Sequence, residues 1–430
     1  MIQYIKIKNF EAIKEEIELN FEAIDTDGSP VYEVEMPDKR KLLKLAYIYG
    51  PNASGKSTIL KAIQFLRELW LSPRYKRDDE LEFDPFLFQA QPENDSTDID
   101  LAFYVDGVRY IYQLKCTKRS ILSEKMIFYQ TNQPSELFSR TTDLEKQVSY
   151  VQFGSKVRAA AKDMNALETA TLHNNTVFGA FQKTNVDIPA IAKLSRWLKD
   201  FFRLIINQDY DMSDYTAYQI SRDPAFRKWM NMFLNKADKN IREVTVKLKN
   251  QDRPDTDLRS VKSWFPEDMQ LRLLYDIMDN SEIHFHHVVG DNKVYTLAIE
   301  KESQGSQRYF GLGGVLYSLL TSSGFVSIDE LDTSLHADLM KHFLQLFLLN
   351  SHQSQLLFTT HNLFLLEEQD FIRKDALWFT EKGEDGGVNL YSAADFDSDT
   401  LRKGASLINA YKAGRLGAKP NLGSPYLNAP

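Results

Sequence analysis

The residues best equipped for chemistry lie in four places. Gly50-Pro51-Asn52-Ala53-Ser54-Gly55-Lys56-Ser57-Thr58 has the spacing G-x-x-x-x-G-K-S and follows an apolar run from Leu45. That spacing turns successive backbone N–H groups inward around an anion. Gly50 and Gly55 permit the turn, and Asn52, Ala53, Ser54 and Thr58 complete the cradle. Lys56 would reach the β- and γ-phosphates of a nucleoside triphosphate as a point charge, and the Ser57 hydroxyl would ligate Mg²⁺. The second place is Asp329-Glu330, which closes the apolar run Phe325-Val326-Ser327-Ile328. Adjacent carboxylates at a strand end point in different directions, which suits two tasks. Asp329 would hold Mg²⁺ together with Ser57, and Glu330 would orient and deprotonate an attacking water.

The third is Glu302-Ser303-Gln304-Gly305-Ser306, ahead of a helical run over 312–320. A hydroxyl and a bare backbone at a helix start make a second anion site, usable by a phosphate that another polypeptide presents. A plain helix cap is the alternative reading. The fourth is His361 in Thr359-Thr360-His361-Asn362. The end of that strand lies on the sheet edge expected for Asp329 and the P-loop, within reach of a γ-phosphate.

In this order, with Asp332-x-Ser334-Leu335-His336 between the last two, the motifs resemble the ABC-type ATPase heads of the SMC, RecF and OLD group. Ile5-x-Ile7-x-Asn9-Phe10 and Tyr411-Lys412-x-Gly414-Arg415-Leu416-Gly417-Ala418-x-Pro420 are similar to one branch of it. That branch is the small AAA-type, OLD-like ATPases of bacterial phage-defence systems, such as the ATPase subunit of PARIS. The resemblance implies that Ser303 and Gly305 belong to a signature motif completing a partner's ATP site, with Asp332 in the D-loop. It also implies a Q-loop glutamine that helps hold Mg²⁺, either Gln89 or Gln91, with Gln89 slightly favoured. Gln304 stands where transporter-type signatures carry Gly, and Ala53 where many P-loops of the group carry Gly.

The same resemblance implies an ATP-hydrolysing enzyme that forms at least a dimer, or a larger ring, through nucleotide sites shared between chains. It would act as sensor and scaffold of an anti-phage system, triggered by a phage protein and controlling a separate effector such as a nuclease. The stretch after His361 is too short for the Toprim nuclease of OLD proteins, so the effector is expected on another chain. A RecF-like DNA-repair ATPase and a scaffold that binds ATP without hydrolysing it stay open, and DNA binding with them.

These motifs need a fold to hold them. Helical spacing follows the P-loop over 57–69, and two apolar strands separated by a helix at 334–349 describe a β-α-β unit of a parallel sheet. The expected class is therefore α/β, a P-loop NTPase of ABC-ATPase type with a mixed or parallel sheet, an N-terminal β lobe and a mostly helical insert. Asp106-Gly107 between alternating runs predicts a hairpin. We divide the chain into an N-terminal ATPase lobe over 1–135, a helical insert over 136–280 and a C-terminal ATPase lobe over 281–412. A Gly- and Pro-rich tail over 413–430 is expected on the surface or disordered. Within the insert, helices are expected over 157–171, 188–206, 225–234 and 269–278, with a surface loop at 251–255.

Composition narrows the partners. The 430 residues are 43% hydrophobic and 26% charged, ordinary for a globular protein, and the net charge of −8 argues against a surface coated for unaided nucleic-acid binding. Basic groups at Lys39-Arg40-Lys41 with Lys44 and at Arg402, Lys403, Lys412, Arg415 and Lys419 read as solvated faces. The single cysteine, Cys116, excludes internal disulfides and multi-thiolate zinc sites. No signal-like or membrane-spanning run occurs, so a cytoplasmic protein is expected. His284-x-His286-His287 reads as part of a strand rather than a metal site, because alternation sends His287 to the opposite face.

Overall fold

The computed structural model describes residues 1–24, 29–90, 92, 95–207, 210–248, 281–368, 371–396 and 406–420. Gln91, the expected helix over 269–278, the loop at 251–255, Arg402, Lys403 and the end of the tail lie outside them. The chain forms two compact units. The first comprises Met1–Leu198, Val326–Asp329 and Gln355–Pro430, and the second Lys199–Phe325 and Glu330–Ser354.

The first unit carries an antiparallel sheet of seven strands. Their order is Val148–Phe153, Ser135–Asp143, Ile121–Tyr129, Val108–Cys116, Thr97–Val105, Ile2–Lys8 and Ile17–Asn20. Its central hairpin closes through Asp106 and Gly107, both at positive φ (47° and 77°), the conformation a two-residue turn between twisted strands requires. The first two strands of this order lie in the expected helical insert and were not legible in the sequence. One of them buries Arg140, whose guanidinium donates to the Ile121, Leu172 and His173 carbonyls and to the Ser149 hydroxyl. A buried arginine breaks the apolar alternation by which a strand is recognised.

The second sheet of this unit contains the P-loop strand, Leu45–Tyr49, buried at every position as a central parallel strand must be. It pairs in parallel with Gln355–Thr360 on one side and Leu377–Lys382 on the other, and Val388–Ser392 adds an antiparallel edge. Beyond Gln355–Thr360 lies the buried strand Phe325–Ile328, which leads into Asp329. The helix Lys56–Leu71 buries Ile59, Leu60, Ile63, Phe65, Leu66, Leu69 and Trp70, the apolar stripe its sequence shows. Residues 413–420 differ from the loose tail expected. Leu416 and Ala418 are fully buried, the Ala418 amide donates to the Glu381 carboxylate at 3.0 Å, and Tyr411 and Tyr391 donate to the Ala418 and Leu416 carbonyls. Burial of these small apolar groups and of Tyr411 outweighs the local Gly and Pro content.

The second unit holds a three-stranded antiparallel sheet, Ile241–Leu248, Ser281–Val289 and Lys293–Ala298, and the helices Ser213–Arg222, Pro224–Ala237, Gln304–Thr321 and Ala337–Asn350. The helix expected over 188–206 ends at Phe201, and Phe202–Ile206 is a strand. Phe202, Ile205 and Ile206 are aromatic and β-branched and fit an extended backbone better than a helix. The overall class is mixed α/β, and among the described residues no helix is long and apolar enough to cross a membrane.

Candidate functional site: the P-loop and the signature loop

Gly50 leaves the sheet at the end of Leu45–Tyr49, and a side chain there would collide with the Thr380 hydroxyl. Ser54 bonds that same hydroxyl at 2.6 Å, so the neighbouring strand Leu377–Lys382 braces the loop from below. Ala53 (φ 61°) and Gly55 (φ 99°) take left-handed conformations, and a Cβ on Gly55 would also strike Val388. Gly55 caps the helix without a side-chain acceptor, so no capping side chain takes the first-turn N–H groups, the groups a helix start offers to an anion. Lys56 is buried and folds back on the loop, donating to the Gly50 carbonyl at 2.8 Å and the Pro51 carbonyl at 3.0 Å. Backbone oxygens thus occupy the donors that phosphate oxygens would take.

Asp329 follows the strand Phe325–Ile328 and is gripped from two directions. The Ser57 hydroxyl donates to its Oδ2 at 2.7 Å, and the Thr359 hydroxyl donates to its Oδ1. Ser57 and Asp329, a hydroxyl and a carboxylate in contact at the first turn of the P-loop helix, are the donor set that Mg²⁺ accepts. The residues therefore fit the ion that sequence reasoning assigned to them. Thr359 was not singled out in the sequence. A threonine two residues before a strand-end histidine carries no signal until the strands are side by side.

Thr360 lies opposite Tyr49 in parallel register, so His361 and Gly50 leave the same edge of the sheet, and His361 is exposed there. Gln89 is held by Asn9. Its amide donates to Asn9 Oδ1 at 3.2 Å, and the same oxygen receives the Phe86 amide at 3.0 Å. Asn9 is buried, at φ 54°, and its own amide donates to the Asp95 and Ser96 carbonyls. It ties the Gln89 segment to the end of the first strand.

The second unit contains the other motifs. Ser303 is the exposed N-cap of Gln304–Thr321, accepting from the Ser306 amide at 3.1 Å. A Cβ on Gly305 would sit 2.9 Å from the Ser334 carbonyl, so the Ser303–Gly305 loop rests directly on the segment that follows Asp332. Asp332 is buried, and two successive turns, Thr333 N to Glu330 O and Leu335 N to Asp332 O, shape that segment. Glu330 (φ 49°) and Ser334 (φ 60°) hold left-handed conformations that cost non-glycine residues about 1 kcal/mol or more. His336 caps Ala337–Asn350, accepting from the Asp338 amide at 3.3 Å.

The histidine cluster lies on Ser281–Val289. His286 has both ring nitrogens on hydroxyls, Thr245 and Thr296, each at 2.9 Å. His287 donates instead to Glu302 at 2.6 Å. Among the described residues no group of three or more histidine, cysteine or acidic side chains is placed to hold a metal.

A P-loop on a central parallel strand, with a helix N-terminus behind it and a serine-bonded aspartate on a nearby strand end, defines a P-loop nucleotide-binding ATPase domain. The chain belongs to the family described as "AAA domain, putative AbiEii toxin, Type IV TA system", which matches residues 45–367. No curated protein matches it in sequence. Among solved structures it is similar to an SmcHead bound to the C-winged helix domain of ScpA, at 14% identity over 91% of this chain and 97% of that one (TM-score 0.46). It is also similar to the SMC head domain from Thermotoga maritima, at 16% identity over 91% and 98% (TM-score 0.40). A third is the Smc head with an extended coiled coil bound to the C-terminal domain of ScpA, derived from Pyrococcus furiosus, at 12% identity over 97% and 99% (TM-score 0.41).

Proposed function

We propose that the protein binds ATP with Mg²⁺ in the P-loop and hydrolyses it, and that it does so as an oligomer whose nucleotide sites are shared between chains. The observation that carries this reading is the grip of Ser57 and Thr359 on Asp329, which fixes a carboxylate beside the P-loop helix. Bound Mg²⁺ would supply charge neutralisation on the phosphates, held by Ser57 and Asp329. Lys56 exchanges the Gly50 and Pro51 carbonyls for phosphate oxygens. Glu330, next in the chain after Asp329, orients the water and takes its proton as the water oxygen attacks the γ-phosphorus and ADP leaves. His361 hydrogen-bonds the γ-phosphate. Ser303, Gly305 and Asp332 contact the nucleotide held by a second copy of the chain.

The family description names a toxin–antitoxin system. That supports a role as sensor and scaffold in anti-phage defence, in which the nucleotide state controls a separate toxic effector such as a nuclease, and a phage protein is the trigger. ATP turnover and particle mass, measured together for the wild type, Lys56→Ala and Glu330→Gln, test the shared-site ATPase. Lys56→Ala should lose ATP binding and ATP-driven association. Glu330→Gln should keep binding, lose turnover and accumulate as the ATP-bound oligomer. Unchanged turnover in Glu330→Gln would remove that residue from its role, and a mass indifferent to nucleotide would remove the shared site.

A further inference from the structure

We propose that His287 is a positioning residue for the signature loop: it restrains the Glu302 carboxylate and so keeps the anion site at Ser303 open to a phosphate. The proposal rests on the reading that Ser303 meets a nucleotide held by another chain.

Glu302 is the residue immediately before the Ser303 cap, and it is fixed on three sides. Its amide donates to the Ile299 carbonyl at 2.9 Å, its carbonyl accepts from the Gln307 side-chain amide at 3.0 Å, and its carboxylate accepts from His287 Nε2 at 2.6 Å. The side chain is only 7% exposed, whereas Ser303 beside it is open to solvent. His287 itself is set by the sheet, opposite Ile241 on one neighbour and Tyr295 on the other.

This arrangement answers a problem that the sequence creates. A helix N-terminus attracts anions, and a carboxylate one residue before the cap is the nearest anion available. Left unrestrained, Glu302 could turn onto the first-turn amides of Gln304–Thr321, occupying donors that a phosphate needs and repelling its charge. The bond to His287 draws the carboxylate back onto the sheet. His287 touches neither nucleotide nor water in this scheme; it acts through Glu302.

The two-residue logic makes an unusual prediction. His287→Ala should weaken ATP-driven association about tenfold, the worth of one charge-assisted hydrogen bond, while ATP binding in the P-loop stays unchanged. Glu302→Gln alone keeps an acceptor for Nε2 and should associate like the wild type. His287→Ala/Glu302→Gln should recover most of the loss, because the released side chain no longer carries charge. His287→Gln, which keeps a donor where Nε2 stands, should behave as wild type.

The assay is sedimentation of the full chain against protein concentration with ATP and Mg²⁺, alongside nucleotide-binding titrations and melting curves. If His287→Ala does not fold, His287→Asn, whose amide is too short to reach Glu302, takes its place. Failure of Glu302→Gln to restore association in the double variant would overturn the proposal, and so would melting curves in which His287→Ala loses stability and the double variant regains it in step with association, since relief of a stranded buried charge repairs a purely structural bond as well. Ser303→Arg separates the two levels. If it leaves ATP-driven association intact, the shared-site reading fails; if it abolishes association while His287→Ala has no effect, only the positioning role fails.

Discussion

Replacing Thr359 with Val tests whether Asp329 is held for a metal. Thr359 is fully buried on the strand beside the P-loop strand, and valine keeps its β-branched shape while deleting the hydroxyl that donates to Asp329 Oδ1. The bond from Ser57 to Oδ2 remains, so the carboxylate loses one of two restraints. A hydrogen bond to a charged group is worth about 1.5–3 kcal/mol, which corresponds to roughly 10- to 100-fold in an equilibrium constant. Loss of an outer partner of a metal ligand lowers metal affinity by a similar factor, about 10- to 100-fold. The assay is a Mg²⁺ titration at fixed concentration of a fluorescent ATP analogue. We expect the Mg²⁺ midpoint to rise by at least tenfold, with little change in nucleotide binding when Mg²⁺ is absent. A folded variant whose Mg²⁺ midpoint matches the wild type would refute the reasoning and leave Thr359 as a satisfied strand hydroxyl.

Two further outcomes are expected from the geometry. Gly305→Ala places a Cβ 2.9 Å from the Ser334 carbonyl and should force the signature loop off that segment. Overpacking of this kind costs about 1–3 kcal/mol, so ATP-driven association should weaken while the P-loop titration is unchanged, and equal association in both proteins would contradict it. Burial pushes the Glu124 carboxyl up to about 7, against the opposing pull of Arg140 and of hydrogen bonds from the Val177 amide and the Tyr112 hydroxyl. A carboxyl whose folded pKa is raised binds more protons folded than unfolded. Its contribution is complete below about pH 4.5 and is lost as pH rises through 7. The wild type should therefore lose up to a few kcal/mol of stability between pH 5 and 8, at about 1.4 kcal/mol per pH unit of difference, and Glu124→Gln should show a flatter curve. Parallel melting curves across that range would disprove the assignment.

Much of the P-loop half was legible because its signals are local. The P-loop, the Asp329-Glu330 pair and the helix behind Lys56 each depend on residues adjacent in the chain, whose turn geometry and periodicity follow from type and spacing alone. The Asp106-Gly107 hairpin formed for the same reason. The expected Q-loop role of Gln89 did not come from such a signal, and the structure gives its amide to Asn9. The strand holding Arg140 was hidden because one of its buried residues is charged, and a window of sequence cannot show that four acceptors await it.

By itself, then, the sequence determined the class of fold, the phosphate-binding loop and the order in which acidic, signature and histidine motifs succeed one another. Only the tertiary structure decided what stands beside them: Thr359 on Asp329, Thr380 under Ser54, Asn9 at the Gln89 segment and His287 on Glu302. The physical reason is range. Turn conformation, capping and helical periodicity are settled within a few residues, whereas a hydrogen bond between strands is settled by register, and register is fixed only when the whole sheet buries its apolar faces.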